Sequence, residues 1–570
     1  MKDILVSLII PVYNIEIRWL KAAIESVLQQ TYPFWQLCIA DDGSSHQEVI
    51  DYLRHLQDER IQILFLGVNR GIASASNAAL TMAKGDFVGF LDHDDELTPD
   101  ALHEIVQIIK QMEPDIVYSD EEYIKTNGSR YSAHFKPDYS PDLILSLNYI
   151  CHLTVYRHSL LQQINGLREG YDGAQDYDLL LRSLELTNKI VHLPKVLYRW
   201  RRIPGSTAKH FNNKHHSWEA GRRALEKALS RRDIMGEVAL GKHPGTYRVR
   251  RAIRKNPMIS IIIPFRDLSE SLERCLDSIL NKTTYNCFEI IGISNQSQEP
   301  ATFAAMAAYQ RQDARIHFAH YDHPFNFSAI NNFAVGLSRG EHILLLNNDT
   351  EIINPDWLEA LLEHSQRPEV GAVGAKLYYP NNTIQHAGII VGIRGSAGHS
   401  HKCLQRNDPG YFNRLDVIQN ISAVTGACLM VKKLLYQMLG GLDEINLPIA
   451  FNDVDFCLRL REYGYLNIFT PHCELYHYES KSRGLEVTRN KKHRFLQESN
   501  YLRQRHSIFF INGDPYYNPN LPLDRETFGL RFRLLRPLAF ALQNEWQTHR
   551  SLNRALRIIG SELLRLIRHA

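Results

Sequence analysis

Ser7-Leu8-Ile9-Ile10-Pro11-Val12-Tyr13-Asn14 returns later in the chain as Ser260-Ile261-Ile262-Ile263-Pro264-Phe265-Arg266-Asp267. Two more blocks recur in the same order. Phe90-Leu91-Asp92-His93-Asp94 returns as Leu345-Leu346-Asn347-Asn348-Asp349, and Gln175-Asp176-Tyr177-Asp178-Leu179 as Asn452-Asp453-Val454-Asp455-Phe456. Three ordered blocks define a tandem repeat, so the chain divides into two homologous units. The longer spacing before the third block puts an insertion late in the second copy. The expected division is a first unit at 1–210, a basic helical linker at 211–255, a second unit at 256–490 and a helical, basic amphipathic segment at 491–570.

Within each copy, short β-branched runs alternate with segments of helical period. Leu5–Ile10 reads as a buried strand, and Trp19, Leu20, Ala23, Ile24, Val27 and Leu28 fall at helical spacing after it. Helices are expected at 72–84, stopped by Gly85, and at 328–339, capped by Gly340. Alternation of this kind implies an α/β fold with a mostly parallel sheet, its ligands lying beyond the carboxyl ends of the strands. Asp41, Asp42, Asp92 and Asp94 all follow such ends.

The composition is that of a folded protein: 570 residues, 44% hydrophobic and 22% charged. It excludes a disordered chain, a collagen-like repeat and a disulfide scaffold. The net charge of +2 conceals opposed parts. Residues 199–255 carry +12 and residues 531–570 carry +6, which leaves −16 for the rest. Eight scattered cysteines without a CxxC pair read as buried free thiols in a reducing cytosol. The N-terminus lacks the long apolar core of a signal peptide, and no run approaches the ~18 apolar residues of a spanning helix. A soluble or peripheral cytoplasmic protein is expected.

Asp92 and Asp94 stand at i, i+2 after a buried strand. Two carboxylates so displayed suit Mg²⁺ or Mn²⁺ bridging a substrate's phosphates. Asp176 and Asp453, at helix starts facing the strand ends, are candidate general bases. Asp178 and Asp455 read as caps or dipole partners of the same helices.

The ordered set of strand–Pro–x–Tyr–Asn, Asp41-Asp42-Gly43-Ser44, Asn69-Arg70-Gly71 with Asn77, Asp92-His93-Asp94-Asp95 and Gln175-Asp176-Tyr177-Asp178 resembles the family-two glycosyltransferases. That resemblance implies two tandem GT-A domains, Rossmann-like and nucleotide-sugar-binding, with a helical C-terminal tail. Tyr118-Ser119-Asp120-Glu121-Glu122, Asn148–His152 and Leu197–Arg201 are similar to bacterial tandem enzymes that build O-antigen, capsule or rhamnose-rich polysaccharide.

The resemblance also implies roles. Asp41 would contact the nucleobase, Asp92 the ribose–phosphate region and Asp94 a Mn²⁺ or Mg²⁺ ion, with Pro11, Tyr13, Asp42, Arg70 and Asn77 completing the nucleotide-sugar site. Asp176 would take the proton from the acceptor hydroxyl in a single inverting displacement. The matching second-unit residues are Pro264, Arg266, Asn295 and Asn332 for the nucleotide sugar, Asp349 and His477 for metal, and Asp453 for the base.

Two departures stand out. Arg199 occupies the position where relatives often have a histidine, and Ser294-Asn295-Gln296-Ser297 replaces Asp41-Asp42-Gly43-Ser44. The expected partners are nucleotide-diphosphate sugars and a glycan or lipid-linked glycan acceptor. The apolar face of Leu552, Leu556, Ile559, Leu563 and Leu566, flanked by arginines, suits an anionic membrane surface. No nucleic-acid module accompanies the positive charge, so nucleic acid is not expected. An alternative keeps one catalytic domain and makes the other an acceptor- or partner-binding module. A nucleotidyltransferase is disfavoured, because Pro11-Val12-Tyr13-Asn14 is no glycine-rich phosphate loop.

Overall fold

The computed structural model describes residues 3–203, 211–479 and 488–529. The apolar face expected at 552–566 lies outside them. Each repeat is built on one curled sheet. In the first, the strand order is Ile61–Phe65, Trp35–Asp41, Val6–Val12, Phe87–Phe90, Thr154–Arg157, Ile116–Lys125, Ile190–Arg202 and Glu96–Leu97. In the second it is Ile316–His320, Phe288–Ser294, Ile259–Phe265, His342–Leu346, Cys428–Lys432, Val370–Tyr378, Leu466–His477 and Thr350–Ile352. The two paths match strand for strand.

The opening strand explains its own composition. Val6, Leu8 and Ile10 pack with Leu20, Ile24 and Val27 of the helix Ile17–Leu28 on one face, while Ile9 packs with Ala73 and Ala79 of Ile72–Leu80 on the other. A strand covered on both faces must be apolar at every position, which is why no alternation shows. Each such fully buried Leu or Ile contributes about 1.5–3 kcal/mol. Ile261 and Ile263 on one face and Ile262 on the other repeat the arrangement.

Gly85 and Gly340 do not cap helices as expected. The helices end earlier, at Leu80 and Leu337. The glycines instead let the chain run against the opening strand, where Gly85 N–H donates to Ser7 Oγ and Gly340 N–H to Ser260 Oγ. A Cβ at either position would lie 2.6–2.7 Å from the backbone nitrogen of that serine.

The first four strands of each sheet are parallel. Beyond them the sheet is mixed, a correction to the mostly parallel expectation, because Thr154–Arg157 and Cys428–Lys432 enter antiparallel. The long strands Ile190–Arg202 and Leu466–His477 then curl back. They pair antiparallel with Glu96–Leu97 and Thr350–Ile352, the short strands directly after the acidic motifs.

The connector is helical only in its first half. Phe211–Arg231 is a helix whose Ala220, Ala224, Leu225 and Ala228 join the first unit's core. The rest is an antiparallel hairpin, Gly236–Leu240 with Tyr247–Arg251, turned at Gly245 with φ +79°. Its positive charge is committed to acids of both units: Arg231 and Arg232 meet Glu185, Arg248 meets Asp356 and Glu363, and Lys242 and His243 meet Asp416.

Buried polar contacts join the units. The Asp142 carboxylate receives the Arg367 guanidinium and the Asn420 amide, and the Asn518 amide donates to both oxygens of Asp120 at 3.0 Å. Burial raises the Asp142 carboxyl, and the Arg367 charge and hydrogen bond together with the basic neighbours His364 and Arg251 more than offset this, holding it down to about 2. Arg367→Met strands a buried carboxylate and should cost about 3–5 kcal/mol near neutral pH. The native protein's share of stability from this pair is present above the unfolded Asp value of about 3.9 and is lost as pH falls toward 2. Urea unfolding of both proteins should therefore show the gap between them shrinking as the pH is lowered through that window.

Candidate active site

In the second unit, Pro264, Arg266, Asn295, Asp349, Asp453 and His477 line one cavity of ≈ 810 Å³ at the carboxyl ends of the parallel strands. Asp349 follows the buried strand His342–Leu346, and the curled-back strand sets His477 opposite Thr350. His477 Nε2 lies 3.1 Å from Asp349 Oδ1 and 3.2 Å from Asn347 Nδ2, and its Nδ1 lies 2.7 Å from Gln385 Oε1. An amide oxygen only accepts and an amide N–H only donates, so Nδ1 carries the proton toward Gln385 and the Nε2 lone pair faces Asn347 Nδ2 and the carboxylate. A lone pair and a carboxylate oxygen converging at that distance fit a shared divalent cation. No group of three or more His, Cys, Asp or Glu side chains converges as a metal cage among the described residues. Two protein donors leave the remaining positions to phosphate and water, as Mg²⁺ and Mn²⁺ sites commonly do.

Asp453 opens the helix Asn452–Glu462. Its Oδ2 accepts from Gly426 N–H and its Oδ1 from Val454 N–H, each at 2.8 Å. Burial pushes its carboxyl above the ordinary range, with these hydrogen bonds pulling the other way. Such a carboxylate is a stronger base than one in water.

The first unit assembles the matching groups. Asp94 is raised chiefly by burial and, after the opposing pull of His93, by neighbouring Asp92. Asp95, the next residue, is wholly enclosed and accepts from Tyr198 Oη at 2.6 Å and Arg201 N–H at 2.7 Å, which ties the acidic loop to the returning strand. Asp176 is likewise raised by burial and accepts from Asn148 Nδ2 at 2.9 Å. Arg199 is paired with Glu122 at 3.1 Å and sits opposite Glu96 in the ladder, so by register its second-unit counterpart is Tyr476 rather than His477.

The loops expected to meet a nucleobase differ as the sequence suggests. Asp42 accepts from Arg70 N–H and Gly71 N–H, and Asp41 Oδ2 accepts from Ser44 N–H, while Asp41 Oδ1 is buried with no partner. An orphaned acceptor there suits a donor on a base edge. Arg70 contributes its backbone, Tyr13 is half exposed and Pro11 is buried in the strand, its carbonyl bonded to His93 Nδ1. In the second unit Asn295 donates instead to the carbonyls of Tyr321 and His323, and Ser294 Oγ has no partner.

Asn77 and Asn332 hold the scaffold. Asn77 exchanges two bonds with the backbone of Leu167, and Asn332 does the same with Leu442 while accepting from Tyr436 Oη. Asp178 and Asp455 do more than cap. Each is fully buried and pairs with the arginine one turn on, and Arg182 and Arg459 in turn bind the carbonyls of Ile164 and Gly166, and of Leu439 and Gly441. Asn and Arg thereby clamp the loop before the helices that carry Asp176 and Asp453.

Several neighbours of the site carried no sequence signal of their own. His152 lies 3.8 Å from Asp92 Oδ2, stacks on Tyr198 at 4.6 Å and draws the Asp176 carboxyl down. Asn148 and Gly426 position the carboxylates from irregular loops, and Gln385 holds His477 from the short strand Ile384–His386. Asn148–His152 and Gly426-Ala427-Cys428 carry a family likeness in the sequence, without a role for these residues.

The Glycosyl transferase family 2 model matches residues 7–164 and 260–433. The chain belongs to that family. Over 92% of its length it is 46% identical to an uncharacterized protein of Sinorhizobium fredii and 38% identical to the O-antigen biosynthesis protein RfbC of Myxococcus xanthus. It spans 58% and 41% of those two relatives. A third of the chain is 33% identical to the Escherichia coli UDP-Glc:alpha-D-GlcNAc-diphosphoundecaprenol beta-1,3-glucosyltransferase WfgD, covering 73% of that protein. The two curled α/β units of this family 2 transferase are tandem GT-A domains with added helices.

The asparagine clamp gives a prediction. Asn332→Ala leaves Leu442 N–H and Tyr436 Oη unpaired, at a cost of about 1–3 kcal/mol. Urea unfolding should register that loss, while calorimetric titration of Mn²⁺ with nucleoside diphosphate should be unchanged.

Proposed function

We propose that this family 2 member is a bifunctional or processive inverting glycosyltransferase that adds sugars from nucleotide-sugar donors to a growing bacterial surface polysaccharide. The observation that carries the reading is the recurrence, in both units, of an acidic strand-end motif facing a buried carboxylate at a helix start. The names of the relatives support the pathway: one acts in O-antigen biosynthesis, another transfers glucose to a diphosphoundecaprenol-linked sugar. O-antigen or capsule assembly on a lipid-linked glycan fits them.

In the first unit, Asp41 and Asp42 with Pro11, Tyr13 and Arg70 form the nucleotide end, and Asp92 meets the ribose–phosphate region. In the second, Pro264, Arg266 and Asn295 take these roles. Asp94, and Asp349 with His477, would hold Mn²⁺ or Mg²⁺, which supplies charge stabilisation for the departing diphosphate. Asp176 or Asp453 accepts the proton of the acceptor hydroxyl as its oxygen attacks the anomeric carbon. The bond to the nucleoside diphosphate breaks on the opposite face, so the configuration inverts. A positioned base contributes about 10²–10⁴-fold, and burial of both carboxylates raises their affinity for the proton they must take.

A second reading rests on Ser294. With no carboxylate where the first unit has Asp41, the second unit would serve to bind acceptor or partner. Panels of nucleotide sugars separate the two. Asp94→Ala should abolish one transfer step and Asp349→Ala a different one, each by at least about 10²-fold. Loss of a single step from Asp94→Ala, with no effect from Asp349→Ala, selects the binding-module reading.

The arginine-rich residues 531–570 favour action at the inner face of the plasma membrane, and no helix of the described residues is long and apolar enough to cross a membrane. Vesicles containing anionic lipid should carry the full chain upward in a flotation gradient and leave a 531–570 deletion behind. Equal flotation would remove the anchor from the account.

A further inference from the structure

His386 and His399 sit beside the second cavity and are absent from the machinery described above. Their two Nδ1 atoms lie 2.8 Å apart, so one proton is shared between them. His386 Nε2 accepts from Gly388 N–H at 3.2 Å and, more distantly, from Thr425 N–H at 3.5 Å. Backbone N–H groups only donate, so His386 Nε2 is bare and its proton is on Nδ1. That proton is donated to His399 Nδ1, which must then be bare. His399 is left with its one proton on Nε2, and among the described residues no partner accepts it.

The main chain at His399 is held as well. His399 N–H donates to Glu526 Oε1, and Gly398 before it packs against Ile393 and that same carboxylate. His399, Lys402 and Glu526 all line the cavity that contains Asp349, His477 and Asp453. Thr425, which bonds His386 from behind, also hydrogen-bonds Asp453 through its side chain, so the histidine pair belongs to the base end of the cavity. Burial keeps both rings neutral: His386 is held well below the ordinary value and His399 down to about 3.

We propose that His399 is a specificity-determining residue of the second site, fixed by His386 as its neutral Nε2–H tautomer to donate a hydrogen bond to a hydroxyl oxygen of a bound sugar. A donor on the wall of a cavity discriminates against a ligand lacking the matching acceptor. A neutral imidazole suits a hydroxyl, whereas the diphosphate belongs at the Asp349–His477 end. This inference rests on the sugar-transfer reading of the same cavity, and its test separates the two.

The first arm needs no activity. Long-range ¹H–¹⁵N correlation spectra of the full chain with ¹⁵N-labelled histidine should show His399 protonated at Nε2 and His386 at Nδ1, assigned with His399→Gln and His386→Phe. The opposite tautomer at His399 would overturn the proposal.

The second arm uses the nucleotide sugar whose consumption Asp349→Ala abolishes. His399→Phe should raise KM for one sugar substrate roughly 10-fold, and His399→Gln, which can return an N–H near the Nε2 position, should restore most of it. A change confined to the donor KM assigns the hydroxyl to the donor sugar, and one confined to the acceptor KM assigns it to the acceptor. Nucleoside diphosphate alone should bind His399→Phe as it binds the native protein. Equal weakening of the diphosphate, or unchanged KM for both substrates, would overturn the proposal. If no nucleotide sugar is consumed, the sugar-transfer reading fails and this proposal with it, while the tautomer remains decided by the first arm.

Discussion

Each site depends on one pairing: the long last strand of the sheet folding back, antiparallel, onto the short strand that follows the acidic motif. Without it, the loop after the fourth parallel strand would present its carboxylates on an unsupported turn. The pairing Glu96–Leu97 with Arg199–Tyr198 brings Tyr198 and Arg201 onto Asp95, so that residue anchors the loop that carries Asp92 and Asp94. In the second unit Thr350 bonds back to the Asn347 carbonyl, and the same return delivers His477 to Asp349. One scaffold thus yields two differently furnished carboxylate ends, with His152 3.8 Å from Asp92 in the first unit and His477 3.1 Å from Asp349 in the second.

The linker and C-terminal segment make the two units a single body. Several of the arginines that look like a basic tract in sequence pair with acids on either side, and the hairpin Gly236–Arg251 sits between them. Asn518 reaches the buried Asp120, while Glu526, a few residues later, touches the short strand Ala397–His399. A segment beyond the second sheet therefore contacts the first unit and helps shape the second cavity. Phe412, stacked on His134 at 3.7 Å, and Tyr411, bonded to Phe135 N–H, tighten the same seam.

Much of this was legible in the sequence because its causes are local or repeated. A strand covered on both faces must be continuously apolar, and a helix between two such strands must repeat at 3.6, so Ile9 and Ile262 or Leu20 and Leu272 declare themselves. Repetition gave the acidic motifs their weight. The reversal of Thr154–Arg157 was not legible, because direction within a sheet leaves no mark on a four-residue strand. Gly85 and Gly340 read as caps since the close approach they permit is to residues some eighty positions earlier. His152, Asn148 and Gln385 were missed as site neighbours for a similar reason: His152 and Asn148 lie in an irregular loop and Gln385 in a three-residue strand, where no period exists to be read. Asp178 and Asp455 looked like dipole partners because their arginines, one turn away, are also ordinary helix residues; only burial distinguishes a clamp from a surface pair.

The central claim is that one chain carries two complete nucleotide sites. Native mass spectrometry of the full chain, saturated with Mn²⁺ and nucleoside diphosphates of different bases, tests it most directly. Two nucleotides bound per chain is the predicted result. Saturation at one, or at none, would contradict it.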